Sequence, residues 1–245
     1  MFGIGVIGYG YWGPNIVRNF SALEGVRVVG VSDRNSEVIS RLSSANPSLR
    51  VSTDPTELIK ASDIDAVAIV TPVSTHYELA RMALENGKHV FVEKPFTATS
   101  QQAISLIELA ERKNLKIMVD HTFLFTGAVR KIKQLIEERE LGKIFYYDSI
   151  RVNLGLFQHD VNVVWDLAPH DFSIMSYLIS ESPAALSAWG QSHVNTLEDI
   201  AYITVHFNTN IVAHFSVNWL SPVKVRTTLI GGEKKMLVWN DLNAD

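Results

Sequence analysis

Short aliphatic runs without polar interruption punctuate the first half of the chain. Phe2–Ile7, Val26–Val31, Ala66–Val70, His89–Val92 and Lys116–Val119 are dominated by Val, Ile and Phe. Such runs fit parallel strands covered on both faces. Helix-like patterns lie between them. Asn15–Leu23 follows Pro14, a residue suited to a first helical turn. Ser74–Glu85 stops at Asn86-Gly87, a helix-end signal. Ser100–Lys113 opens on a serine cap and carries Ala103, Ile104, Ile107 and Ala110 as its apolar positions. The alternation predicts an α/β fold, a doubly wound parallel sheet over residues 1–120.

The pattern then changes. A helix is predicted near Gly127–Glu138, an alternating strand over Lys143–Val152 and a helix over Val163–Leu178. Ala184–His193, Ile200–Asn208, Ile211–Leu220 and Val223–Ile230 read as long strands. Asn208-Thr209-Asn210 reads as a tight turn, and Gly231-Gly232 opens another before Lys235–Trp239. Residues 121–245 are therefore expected to form a second, α+β domain with an open, mainly antiparallel sheet.

One motif adds chemistry to this outline. Gly8, Gly10 and Gly13 form a G-x-G-x-x-G directly after the first strand and before a helix. In that position Gly8 permits a tight turn and Gly10 lets the backbone approach a pyrophosphate. Gly13 allows close helix packing, and the helix N-terminus faces phosphate charge. Tyr11 and Trp12 belong to the same loop. Asp33 follows about twenty residues later, at the end of the second run, where it would accept hydrogen bonds from a ribose diol. The set predicts a dinucleotide site. A carboxylate there repels a 2′-phosphate and favours NAD, whereas Arg34 beside it would clamp that phosphate and leaves NADP open.

Composition narrows the partners. The chain has 245 residues, 47% of them hydrophobic, and a net charge of −4. No basic block recommends nucleic acid or an anionic membrane surface. There are no cysteines, which removes disulfides, thiolate metal sites and thiol nucleophiles. The N-terminus enters a strand without a charged n-region or cleavage site, and no apolar stretch is long enough to span a bilayer. A cytoplasmic protein is expected.

Three further clusters could carry chemistry. Glu93-Lys94-Pro95 follows a strand at its carboxyl end, where open α/β sheets place their ligand crevice. A lysine there can hydrogen-bond a substrate oxygen and stabilise charge during hydride movement. Pro95 is a candidate for a cis bond. On spacing alone a solvated Glu–Lys pair explains these residues equally well. In the second cluster, Asp166 and His170 are four apart and share a helix face. A carboxylate beside an imidazole suits a general base near neutral pH. Pro169 requires a first turn or a kink, and a helix starting near Pro169 is the alternative. A capping aspartate and a core histidine explain this pair as readily. Third, Thr71-Pro72-Val73-Ser74-Thr75-His76 follows a strand and should line the nicotinamide side of the crevice, with His76 capping or packing rather than catalysing. His121 lies on the crevice side and is a candidate substrate contact, as is His159. No histidine pair has metal-ligand spacing, so no metal is expected. Phe207, Phe215 and Trp219 are expected to pack.

Taken in order, the Gly8/Gly10/Gly13 loop, Thr71-Pro72 with His76, Glu93-Lys94-Pro95 and Asp166-x-x-x-His170 resemble the Gfo/Idh/MocA oxidoreductase family. That family includes glucose–fructose oxidoreductase and inositol dehydrogenase. The resemblance covers essentially the whole chain, and E-K-P with a later D-x-x-x-H is more specific than the glycine loop. It implies a Rossmann domain and a C-terminal domain whose open sheet commonly forms a dimer or tetramer interface. It implies hydride transfer between NAD(P) and a secondary alcohol or ketone of a sugar, cyclitol or nucleotide-linked sugar. Lys94 then contacts the reacting oxygen, His170 is the general acid/base, and Asp166 orients it or contacts a substrate hydroxyl. The cofactor set comprises Gly8, Gly10, Tyr11, Trp12, Gly13, Asp33, Arg34, Thr71, Pro72, His76, Glu93 and Lys94. Val163–Asp171 resembles a subgroup associated with surface-polysaccharide and activated-sugar biosynthesis.

Two departures qualify the transfer. Val163, Val164 and Trp165 replace the family's glycine-rich run and change the pocket. The chain stops at Asn243-Ala244-Asp245, just after a strand, where family members continue, so a truncated chain is expected. Two other functions share the motifs: a non-catalytic dinucleotide sensor that regulates a partner, and a lyase or hydrolase that cycles a tightly held NAD.

Overall fold

The computed structural model describes residues 1–155, 157–158 and 160–243. His159 lies outside them. The chain divides into two compact units, Met1–Asp120 and His121–Asp245.

The first unit runs β1 (Phe2–Ile7), α1 (Gly13–Ser21), β2 (Val26–Ser32), α2 (Ser36–Ala45), β3 (Arg50–Ser52) and α3 (Pro55–Lys60). It continues with β4 (Ala66–Ile69), α4 (His76–Glu85), β5 (His89–Val92), α5 (Ser100–Arg112) and β6 (Ile117–Val119). Its sheet has the order β3-β2-β1-β4-β5-β6, and every pairing is parallel. Chain direction across the sheet reverses between β1 and β4, which opens a crevice beyond the carboxyl ends of those strands. Apolar cores lie on both faces. One contains Ile4, Val6, Ile16, Val31 and Leu42; the other contains Leu58, Val67, Ile69, Ala80, Leu84 and Leu106. Each large side chain buried this way contributes roughly 1.5–3 kcal/mol.

The hydrophobic pattern does not announce α2, β3 or α3. Only Leu42 of α2 is buried, so its face is too narrow to read. Its start is set by Asn35, whose side chain accepts the Glu37 and Val38 N–H groups. β3 has three residues and α3 six, the latter capped by Asp54 before Pro55. Two details of α5 differ from expectation. Its cap is Thr99, which accepts the Gln102 N–H, rather than Ser100. Its buried positions are Leu106 and Ala110, while Ile104 and Ile107 are exposed.

The second unit runs α6 (Gly127–Glu137), β7 (Ile144–Val152), α7 (Val163–Leu178), β8 (Ala185–Gln191), β9 (Ile200–His206), β10 (Val212–Asn218), β11 (Val225–Gly232) and β12 (Met236–Asn240). The sheet order is β12-β11-β7-β10-β9-β8. β7 and β10 pair in parallel, and the other neighbours are antiparallel. Burial alternates along β9 and β10, as expected of a sheet with one covered face. Ala201, Ile203, Val205, Ala213, Phe215 and Val217 point inward, against Val129, Ile132, Ala168, Ile174 and Leu178 from α6 and α7. Phe207 and Trp219 join this core. The opposite face exposes Ile150, Trp189, Tyr202, Met236 and Val238.

Gly231-Gly232 does not open the turn; β11 continues through both residues. Side chains there would collide with the Tyr146 ring and with the Leu141 backbone, so glycine is required by close approach rather than by turning. α7 runs unbroken through Pro169 from an Asn162 cap, whose side chain accepts the Trp165 N–H at 3.1 Å. The helix therefore does not start at the proline, and it forgoes the one ladder bond that Pro169 cannot donate.

Candidate active site

The glycine loop has the geometry that a dinucleotide needs. Gly8 has φ +99°, and a Cβ there would stand 2.5 Å from the Val70 carbonyl oxygen. A Cβ on Gly13 would stand 2.6 Å from the Gly8 carbonyl oxygen, so α1 starts tight against the loop. Around Gly10 a Cβ would meet nothing within 4 Å. Two glycines are thus needed for the protein's own packing, and the third faces open space. α1 begins without a side-chain cap; Pro14 has no N–H and the Asn15 and Ile16 N–H groups donate to the Trp12 carbonyl, so the Gly13 N–H is the first-turn donor left for an anion.

Asp33 fixes this loop to the end of β2. Its Oδ2 accepts the Tyr9 N–H at 2.6 Å and its Oδ1 the Asn35 N–H at 2.8 Å. Each oxygen retains a second lone pair for a ribose hydroxyl. A cleft of about 330 Å³ lies here, lined by Gly8, Gly10, Asp33, Arg34, Thr71 and Pro72 among others. Ser74 and Thr75, from the segment expected to line the crevice, also line it; Pro55 and Leu79 do so as well and were not readable from the motifs. An open cradle, a helix N-terminus without a side-chain cap and a ribose acceptor fit NAD, which these residues would hold. Tyr11 and Trp12 pack edge-to-face at 5.0 Å and are largely exposed beside the start of α1.

His76 differs from a direct cofactor ligand. It is buried; Nδ1 lies 2.9 Å from the Pro95 carbonyl oxygen and Nε2 2.8 Å from the Thr71 carbonyl oxygen. It ties the loop after β4 to the loop after β5, so its influence on the cleft runs through backbone. The Lys94–Pro95 bond is cis. Lys94 is half-buried, and its N–H donates to Glu93 Oε2 at 3.1 Å. Burial first, and then the neighbouring Asp120 charge and hydrogen bond, push the Glu93 carboxyl up to about 7. Asp120 was not singled out in the sequence, although it follows β6 as Glu93 follows β5.

In the second unit, Asp166 and His170 occupy successive turns of α7. Asp166 Oδ2 accepts the Trp219 indole N–H at 3.1 Å, and the Trp219 backbone N–H donates to the Asp199 carbonyl at 2.9 Å. The His170 ring meets Phe123 edge-on at 5.0 Å. The other side of this cluster is charged and buried. Arg151 makes a bidentate pair with Asp171 at 2.8 and 2.9 Å, and its guanidinium lies 4.8 Å from the Phe123 ring centroid. Phe123 therefore touches both the imidazole and the arginine of a buried ion pair. His121, half-buried, precedes the turn that carries Phe123. Among the described residues no cluster of three metal-binding side chains occurs, and no helix is long and apolar enough to cross a membrane.

This geometry defines a dinucleotide-binding Rossmann unit joined to a mixed-sheet unit with a carboxylate–imidazole helix. Residues 2–121 match the oxidoreductase family with an NAD-binding Rossmann fold, and residues 129–238 match the GFO/IDH/MocA C-terminal domain. The chain belongs to the Gfo/Idh/MocA oxidoreductase family. It is 30% identical over 217 residues to UDP-N-acetylglucosamine 3-dehydrogenase of Acidithiobacillus ferrooxidans, covering 87% of this chain and 66% of that protein. It is 27% identical over 251 residues to scyllo-inositol 2-dehydrogenase (NAD(+)) of Bacillus subtilis, covering 97% and 72%. The crystal structure of an NAD-binding protein from Listeria innocua superposes with a TM-score of 0.88 at 26% identity, over 98% of this chain and 73% of that one. The chain thus spans about two thirds of the length of the curated relatives it matches first.

Proposed function

We propose that this protein transfers a hydride between NAD and a secondary alcohol or ketone of a sugar, and that the sugar is nucleotide-activated and serves polysaccharide biosynthesis. The observation that carries the reading is a lysine at the carboxyl end of β5, on the same sheet as a formed NAD cradle. When bound, NAD supplies the hydride acceptor. Lys94 hydrogen-bonds the reacting oxygen and stabilises the charge that builds on it. His170 takes the hydroxyl proton in oxidation and returns it in reduction. Asp166, held by Trp219, orients the imidazole or accepts a substrate hydroxyl, and His121 is a further substrate contact. The match to UDP-N-acetylglucosamine 3-dehydrogenase supports the nucleotide-sugar class. Asp33 supports NAD over NADP. The open sheet face with Ile150, Trp189, Tyr202, Met236 and Val238 supports self-association as a dimer or tetramer. The absence of cysteine suits the cytoplasm.

The test is NADH fluorescence across nucleotide sugars, free hexoses and inositols, with wild type and Lys94→Ala. A nucleotide sugar should produce NADH. Lys94→Ala should lose on the order of 10²–10⁴-fold in turnover while NADH binding changes little. Loss of cofactor binding in that variant would make Lys94 structural. Bound cofactor without net NADH would point to redox cycling, and no turnover with any sugar would point to a sensor.

A further inference from the structure

Val92 and Val119 are register partners at the ends of β5 and β6. Glu93 and Asp120 therefore leave the sheet side by side. Both backbones are anchored: the Glu93 N–H donates to Ile69 O and the Asp120 N–H to Val92 O, each at 2.9 Å. Chain motion cannot separate the two acids cheaply. Two carboxylates placed side by side repel when both are ionised, and after burial the Asp120 charge and hydrogen bond raise the Glu93 carboxyl; one proton held between the pair relieves that repulsion. Burial is the largest influence on Glu93 and opposes its ionisation. The other titratable neighbours are Lys94, whose charge and N–H favour ionisation, His76, whose ring faces the Thr71 and Pro95 carbonyls, and His121, next to Asp120.

Sheet order orients the ligand. Asp33, just past β2, takes the adenosine ribose and the loop after β1 takes the pyrophosphate. The other half of an extended dinucleotide then runs over the ends of β4 and β5. This step rests on the cofactor reading above. Oxidised and reduced cofactor differ there by one positive charge on the nicotinamide ring.

We propose that Glu93 and Asp120 form a charge sensor for the cofactor's oxidation state. The pair holds one proton in the free chain, sheds it to solvent when the cationic ring of NAD+ arrives, and keeps it when the neutral ring of NADH arrives. The balance is one proton released per NAD+ bound and no electron moved. Charge complementarity drives the release, because a doubly ionised pair attracts the cationic ring more strongly than a singly ionised one.

The experiment measures NAD+ and NADH binding to the full chain between about pH 5.5 and 8.5. It adds calorimetry in buffers of different ionisation enthalpy to count protons. NAD+ affinity should rise with pH, approaching about tenfold per unit for one linked proton, and then level off once the free pair is ionised. NADH affinity should stay flat. Asp120→Asn should flatten the NAD+ curve, and Glu93→Gln should do the same, which guards against one variant failing to fold. Parallel curves for the two cofactors, no proton release, or an unchanged curve in a folded variant would overturn the sensor. Failure of wild type to bind either cofactor would instead overturn the cofactor reading beneath it.

Discussion

The Trp219 indole N–H donates to Asp166 Oδ2 at 3.1 Å. The donor is buried at 1% exposure, just past β10, and the acceptor sits on α7. A strand end thus holds the carboxylate that shares a helix face with His170. Replacing Trp219 with Phe removes the donor and leaves a cavity. It should cost roughly 1–3 kcal/mol of stability, read from urea unfolding. Turnover should fall while NADH affinity holds. Combined with Asp166→Asn, the turnover losses should be less than additive; full additivity would mean that Trp219 does not act through Asp166.

Asp33→Ser should shift preference toward NADP by about tenfold or more, equivalent to roughly 1.4 kcal/mol. The substitution removes the repelling carboxylate and leaves Arg34 beside the cleft. It also removes acceptors for Tyr9 and Asn35, so NAD should bind more weakly. Titration with both cofactors measures this. An unchanged ratio would show that Asp33 is not the ribose ligand.

Arg151 and Asp171 are both almost fully buried. Arg151→Ala would strand a carboxylate in the core and should destabilise by about 3–5 kcal/mol. The double variant Arg151→Met with Asp171→Leu should recover much of that loss, because neither charge then remains buried. Urea midpoints decide; a near-neutral single variant would mean that water reaches the pair.

Glu93 makes stability depend on pH with a defined sign. Its carboxyl is raised from 4.5 to about 7 in the fold. Below 4.5 it is protonated folded and unfolded, so it exerts no pH-dependent effect. From 4.5 to about 7 the unfolded chain ionises first, and stability falls as pH rises. Above that range the penalty is complete, roughly 1–3 kcal/mol. Glu93→Gln should flatten this slope and be the more stable form at pH of about 8. An equal slope in wild type and variant would place the titration elsewhere.

Much of this was legible from spacing. The strand runs that β1, β2, β4 and β5 became are continuous and apolar because both faces are covered. Gly8 and Gly13 each has a local reason to lack a side chain, and Gly10 stands where the backbone faces open space. What was hidden depends on partners distant in sequence. Asp120 gains meaning only when β5 and β6 align it with Glu93, and Trp219 read as packing because its polar tip has no local signature. Arg151 and Asp171 sit in β7 and α7 as ordinary charges until the fold closes over them. Ile104 and Ile107 misled in the other direction, since helix phase is set by Leu106 and Ala110 against the sheet.

The Asp33 clasp on Tyr9 and Asn35 has a thermodynamic consequence. A segment already stapled at both carboxylate oxygens has little conformational freedom left to surrender when a nucleotide settles on it. Ordering entropy, often a major tax on recognition by flexible segments, is here charged to folding instead. Affinity at this end of the molecule then loses less to ordering of the chain.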